Sequence, residues 1–203
     1  TASATLDGSV YDANNDIAAI SWTQVSGPAG AVFDNASLAG PAISGLVPGT
    51  YTFRMTATAG GKSDFDEVTV TVTTPNIALG KPVSASSVEG ASTPSTAVND
   101  GNLATRWSSA ASDIQWIRID LQATYDLTGA RIFWEAAAAK NFKIQVSSDD
   151  ASWTTLYSTI TGDGGTDGFT FTSSGRYIRM YAGERLTNYG YSIYEFEVFG
   201  TLH

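Results

Sequence analysis

Apolar and polar residues alternate with a period of two along most of this chain. In "GTYTFRMTAT", Tyr51, Phe53 and Met55 fall on one side, while Thr52, Arg54 and Thr56 fall on the other. "EVTVTVT" repeats the pattern with Val68, Val70 and Val72. "AAISWTQVSGP" sets Trp22 in register with Ile20 and stops at a Gly-Pro turn. Such alternation marks strands with one buried face. Two sheets of that kind must pack their apolar faces together, so residues 1–72 read as an antiparallel sandwich. Pro75 breaks the pattern in "VTTPNIALGKP", because proline cannot donate to a strand ladder. Beyond it the alternation resumes in "QWIRIDL", "ARIFWE", "NFKIQVSS", "GRYIRMYA" and "YEFEVFG". Several of these carry bulky residues on both faces, as a central strand of a sandwich or barrel does. One stretch dissents: "EAAAAK", 135–140, is made of helix formers with a helical Glu–Lys spacing. It is too short to nucleate a helix alone and lies between strand patterns, so a loop or single turn is expected. The 203 residues suffice for two small domains, placed at 1–74 and 75–203.

Composition sharpens this all-β reading. There are 20 Gly and only 15% charged residues, as in a protein of short strands and many turns. The net charge of -9 with 11 basic residues argues against nucleic acid, whose binding needs clustered Lys and Arg to displace phosphate counterions. It also disfavours anionic membranes, and leaves neutral or cationic partners. No Cys is present, which excludes disulfides and thiolate metal sites. The single His is His203 at the C-terminus, a poor base for histidine catalysis or zinc binding. No apolar run approaches the ~18 residues of a membrane span, and no signal peptide is visible. Thr rather than Met at position 1 suggests a processed or excised piece. Low charge, abundant Thr and no Cys fit a secreted or cell-surface bacterial protein.

Two family resemblances emerge. "TLDGSVYDANNDIAAISWTQVSGPAGAVF", continued by "GLVPGTYTFRMTATAGGKSDFDEVTVTV", resembles an immunoglobulin-like domain of the polycystic-kidney-disease (PKD) type. The resemblance implies a spacer, with Trp22 in the core and Tyr51 at a tyrosine corner. The usual first strand before "LDGS" looks largely missing. The second half carries "NIALGKPVSASS", "AVNDGNLATRWSS", "QWIRIDL", "WEAAAAKNFKIQVSSDDASW" and "GRYIRMYAGERLTNYGYSIYEFEVFG". In that order they resemble a bacterial discoidin domain, the coagulation-factor type C fold, closest to carbohydrate-binding module family 32. This implies a jelly-roll-like β-sandwich with its ligand site on loops at one end. The expected protein is a non-catalytic, monomeric binding fragment with a spacer. Its parent would be a secreted glycoside hydrolase or polysaccharide lyase, and its ligand a β-glucan or chitosan-like polysaccharide. A cell-surface adhesion domain binding a glycoprotein or another protein is the alternative. The loop "SVEGASTPST" has one Val and an acid, unlike the apolar spikes of lipid-binding relatives, so membrane insertion is not expected.

"NDGNLATRWSS", 99–109, looks like half of a calcium loop. Asp100 and Asn102 match the first and third positions of an EF-hand, but Ala104 breaks the fifth and Arg106 takes the glycine position. Calcium wants six to eight oxygens, more than this loop supplies, so a distant carboxylate would have to complete the shell. The other reading is a plain turn with Asx hydrogen bonds. The discoidin resemblance implies a structural calcium held by the Ala97 carbonyl, Asp100, Asn102, Thr105, the Tyr194 carbonyl and Glu195.

For carbohydrate, loops 86–94, 108–114 and 184–192 are expected to converge. They offer Glu89, Asp113, Arg185, Asn188, Tyr189 and Tyr191. Tyr189, in the Gly-containing "TNYGYS", is the leading candidate for a stacking platform, while Tyr189 or Tyr191 could equally cap the core. Arg185 could instead pair with Glu135 or Glu184. Trp107, Trp116, Trp134 and Trp153 read as core; Glu135 and Lys140 either line the site or, the preferred reading, form a surface ion pair. The acids of "GDGGTDG", 162–168, lie in a Gly-rich turn where nothing would fix the separation a glycosidase pair requires. A catalytic role is not expected.

Overall fold

The computed structural model describes residues 1–12 and 17–203; part of the stretch read above as "YDANNDI" lies outside the described residues. The chain is all-β and separates into two compact units, Thr1–Thr74 and Pro75–His203. Among the described residues no helix is long and apolar enough to cross a membrane.

The first unit holds β1 (Ala2–Thr5), β2 (Ile17–Ser26), β3 (Val32–Phe33), β4 (Ala42–Leu46), β5 (Gly49–Ala59) and β6 (Lys62–Val72). Its sheets run β1-β4-β3 and β2-β5-β6. A short strand of four residues, β1, precedes "LDGS". "ASAT" is too poor in apolar residues to register alone; antiparallel pairing with β4 makes it a strand. Trp22, Tyr51, Phe53 and Met55 are buried with Leu6, Ile43 and Leu46, as the alternation predicts. The Tyr51 hydroxyl accepts from the Val47 amide at 2.9 Å and donates to the Val47 carbonyl at 3.2 Å, forming the tyrosine corner. On the core-facing row of β6 the run of Val72, Val70 and Val68 gives way to Asp66, opposite Met55, and Asp64, opposite Ala57. That end of the sandwich opens into a concavity of about 560 Å³.

The second unit holds β7 (Val83–Ala85), a 3-10 turn (Ser95–Asn99), β8 (Trp107–Ser108), β9 (Gln115–Trp134), β10 (Ala139–Ser147), β11 (Thr154–Thr159), β12 (Thr166–Arg185) and β13 (Ser192–Leu202). The strand order is β11-β10-β12-β9-β13-β8, with β7 also on β9. Strands β9 and β12 are each 20 residues long and pair almost throughout. β7 flanks Ile117–Ile119, whereas β13 flanks the stretch from Tyr125 to Trp134. Between these halves Gln122 adopts a φ of 67°; β12 carries an extra residue between Thr170 and Ser173, and β9 carries the extra residues between Asp120 and Tyr125. The sheet thus folds over itself. Ile117, Ile119 and Leu121 from one half meet Leu127, Ala130 and Ile132 from the other in a single core. Each fully buried side chain of this size contributes roughly 2 kcal/mol.

Trp107 and Trp134 are core residues, as expected. Trp116 and Trp153 are not: both are half-buried on the outer sheet surface. There Arg118 and Arg179 face each other across β9 and β12, a like-charge pair that is unfavourable alone. The 148–153 turn offsets it. Asp150 pairs with Arg118, and the Arg179 guanidinium lies 3.9 Å from the Trp153 ring centre. "EAAAAK" is irregular over 135–138, with Ala137 and Ala138 buried, and enters β10 at Ala139.

Candidate functional site

Loops from distant parts of the second unit meet at one end of the sandwich. The Glu89 amide donates to the Ser108 carbonyl at 2.7 Å, and the Ala110 amide to Ser87 Oγ at 2.9 Å. Trp107 Nε1 reaches the Ser87 carbonyl at 3.0 Å, so a core tryptophan also pins this loop. Ser109 and Tyr191 exchange two bonds: Ser109 N to the Tyr191 carbonyl at 2.8 Å, and Tyr191 N to Ser109 Oγ at 2.9 Å. Together the loops enclose a recess of about 310 Å³, lined among others by Glu89, Arg106, Glu135, Thr187 and Tyr189.

Of the residues proposed for sugar binding, Glu89 and Tyr189 line this recess, and Tyr189 is 72% exposed. Tyr191 must be corrected. It is fully buried, and its hydroxyl donates to the Asp113 carbonyl at 2.6 Å, so it is a core residue beneath the loops. Burial raises its pKa above the usual phenol value. Asp113 and Arg185 pair with each other, Nε to Oδ1, at 2.8 Å. That hydrogen bond holds the Asp113 carboxyl below its ordinary pKa. Arg185 Nη1 also donates to the carbonyls of Asn188 at 3.0 Å and Tyr189 at 3.3 Å. Asn188 therefore meets Arg185 through its backbone.

The charged lining residue Arg106 lies outside the expected carbohydrate set. Of the two readings for Glu135, the ion pair with Lys140 is corrected, because Lys140 pairs with Glu184 at 2.7 Å, while Glu135 lines the recess. Glu135 instead has its Oε2 on the Ala137 amide at 3.0 Å, and its own amide on the Ser192 carbonyl at 3.0 Å. The buried alanines of "EAAAAK" are the available signal: a loop that packs its small residues inward presents its leading Glu outward. Among the described residues neither Glu89 nor Glu135 belongs to an ion pair. Arg106 has a weak bond of 3.3 Å to Ser108 Oγ. The recess thus combines two carboxylates outside any ion pair, a guanidinium and an exposed aromatic ring.

Beside the recess lies the 99–109 loop. It does form Asx turns: Asn102 N donates to Asp100 Oδ1 at 2.9 Å, and Ala104 N to Asn102 Oδ1 at 3.0 Å. Thr105 Oγ1 contacts Asp100 Oδ2 at 2.7 Å and the Asn102 carbonyl at 2.8 Å. Glu195, 3% exposed on β13, also enters the loop. Its Oε1 accepts from the amides of Gly101 at 2.7 Å and Asn102 at 3.1 Å. Its Oε2 is buried without a hydrogen-bond partner. Tyr194 sits at a bulge, because Ile193 pairs with Trp134 while Glu195 pairs with Phe133. Burial and the neighbouring Asp100 push the Glu195 carboxyl up to about 7. Among the described residues no three or more acidic, His or Cys side chains come together in a way that could hold a metal ion by themselves. A cation here would rely on backbone and amide oxygens as well. The all-oxygen donor set and the orphaned Glu195 oxygen fit a hard divalent ion.

A folded-over sandwich with a charged recess among its end loops defines a discoidin-type binding module. The NedA-like, galactose-binding domain of the F5/8 type C group matches residues 97–180, and the K319L-like PKD domain matches residues 1–72. Chitosan-binding module 1 of a Paenibacillus sp. IK-5 chitosanase/glucanase is 44% identical. The match covers 62% of this chain and 99% of that one, with a TM-score of 0.61. Module 2 of the same enzyme, solved with chitotriose, is 46% identical; coverage is 62% and 100%, with a TM-score of 0.60. A Clostridium perfringens family 32 module shares the fold at 18% identity, covering 64% and 96%, with a TM-score of 0.55. No curated protein matches the chain. The chain belongs to the F5/8 type C (discoidin) family of non-catalytic carbohydrate-binding modules, here preceded by a PKD domain.

Proposed function

We propose that the second unit binds a β-linked glucosamine polymer of the chitosan type in the recess lined by Glu89, Arg106, Glu135 and Tyr189. The observation that carries this reading is the pair of carboxylates without a cation partner beside an exposed ring. Protonated amines would compensate Glu89 and Glu135, which a neutral β-glucan cannot do. Tyr189 offers a face to the C–H side of a sugar, and Arg106 can donate to hydroxyls. The chitotriose-bound relative supports the ligand class. One such recess binds weakly, since few contacts must offset ordering costs. The test is titration of glucosamine oligomers, laminarin, galactan and alginate into the intact chain. Binding to the glucosamine oligomer, and no better binding to laminarin, is expected; a preference for laminarin overturns the assignment.

The 99–109 loop, by this reading, holds a structural calcium through Asp100, Asn102, Thr105, Glu195 and the carbonyls of Ala97 and Tyr194. The ion would supply positive charge to two adjacent carboxylates and tie the loop to β13. Added calcium should raise the melting temperature of the wild type and leave Asp100→Ala unaffected; an equal response in both rules the site out. The Paenibacillus modules come from a chitosanase/glucanase. This supports a secreted polysaccharide-degrading enzyme as the parent, with the PKD domain as spacer. Attachment would then act through effective concentration on the polymer.

A further inference from the structure

We infer that Arg185 is a positioning residue that pre-organises the Tyr189 platform, with Asp113 as its anchor. The inference rests on the glycan reading above for its consequence, but on the free protein's geometry for its substance. Arg185 ends β12, where the chain leaves the sheet for the 186–190 loop. Its guanidinium uses separate donors in two directions. Nε holds Asp113 on the neighbouring loop at 2.8 Å. Nη1 gathers the carbonyls of Asn188 and Tyr189 at 3.0 and 3.3 Å. Asp113 is itself held from below, because the buried Tyr191 hydroxyl donates to its carbonyl.

The other side of Tyr189 is closed as well. Its amide donates to Thr187 Oγ1 at 3.2 Å. Gly190 follows, packed so tightly that a Cβ there would collide with the Ser109 carbonyl oxygen. The Tyr189 backbone is thus gripped on both sides while its ring stays in solvent. Fixing a loop before binding removes an ordering cost that would otherwise reduce affinity. A planar guanidinium can serve three acceptors at once in fixed directions, whereas a lysine ammonium is a point charge on a flexible stem. The structure therefore reassigns two expected sugar contacts, Arg185 and Asp113, to holding a third.

The test uses Arg185→Ala, Arg185→Lys, Tyr189→Ala and the Arg185→Ala/Tyr189→Ala double variant of the intact chain. Glucosamine-oligomer affinity is measured by calorimetry, and amide hydrogen exchange over 187–190 in the free protein. Both Arg185 variants should weaken binding about as much as Tyr189→Ala does, with the melting temperature little changed. The double variant should be no weaker than Tyr189→Ala alone. Exchange over 187–190 should speed up in Arg185→Ala. An additive double variant would mean that Arg185 acts independently of Tyr189, and overturns the inference. Unchanged exchange in Arg185→Ala also overturns it. If the wild type binds no glucosamine oligomer, the glycan reading fails by itself, and the exchange measurement still decides the clamp.

Discussion

Glu89 and Glu135 stand in one recess outside any ion pair among the described residues, and the charge they present to a ligand is measurable. Charge-driven binding weakens as salt screens exposed groups. The combined Glu89→Gln and Glu135→Gln variant should lose affinity for glucosamine oligomers and most of the salt dependence of binding. A variant whose salt response matches the wild type would place the amine contacts elsewhere. Gly190 offers a purely steric check. Gly190→Ala forces a methyl group into the Ser109 carbonyl, so the Tyr189 loop must shift. Weaker glycan binding with an intact far-ultraviolet spectrum is expected. These residues also show what one-dimensional reading misses. Tyr189 and Tyr191 are two positions apart in the same motif, yet one is 72% exposed and the other buried. Tyr191 joins the core and hydrogen-bonds Ser109 and Asp113, contacts that the motif alone does not reveal.

Turns between strands do much of the polar work here, and 147–152 is a clear case. Asp149 Oδ1 accepts from the amides of Ser152 at 2.8 Å and Ala151 at 2.9 Å, and from Ser147 Oγ at 2.9 Å. These bonds, the Ser152 amide first, lower its pKa from 3.8 to about 2. A carboxyl depressed by folding stabilises the native state fully above its unfolded pKa. That contribution disappears as pH falls through the folded value. Asp149→Ala should therefore lower the melting temperature near neutral pH, and the difference from wild type should close as pH approaches 2. A difference that persists at that pH would mean the turn depends on shape alone. "EAAAAK" carries the complementary lesson. Its local helix preference is outweighed once Ala137 and Ala138 are buried beside β10.

Each of the two units has its own core, so each should melt as its own cooperative transition. Phe142 is buried in the second core, 5.3 Å from the Trp134 ring and 6.1 Å from Phe169, centre to centre. Phe142→Ala should destabilise that unit by about 3–5 kcal/mol and leave the transition of the first unchanged. Calorimetry in which both transitions shift together would contradict separate cores.

Much of this architecture was legible in the chain itself. Period-two alternation is a local consequence of strand geometry, so Tyr51, Phe53 and Met55, or Ile117, Ile119 and Leu121, declare their buried face without any partner in view. Pro75 and the change of pattern around it are equally local. The recess was legible only in fragments, because its walls come from segments up to about a hundred residues apart, Glu89 to Tyr189. Whether an acid there is paired or free depends on which loops meet. Lys140 chose Glu184 over Glu135, and Arg185 chose Asp113, through contacts that no spacing encodes. The calcium loop shows the same division. Asp100, Asn102 and Thr105 were visible as a motif, but the burial of Glu195 with one unsatisfied oxygen exists only because the folded sheet brings β13 against that loop.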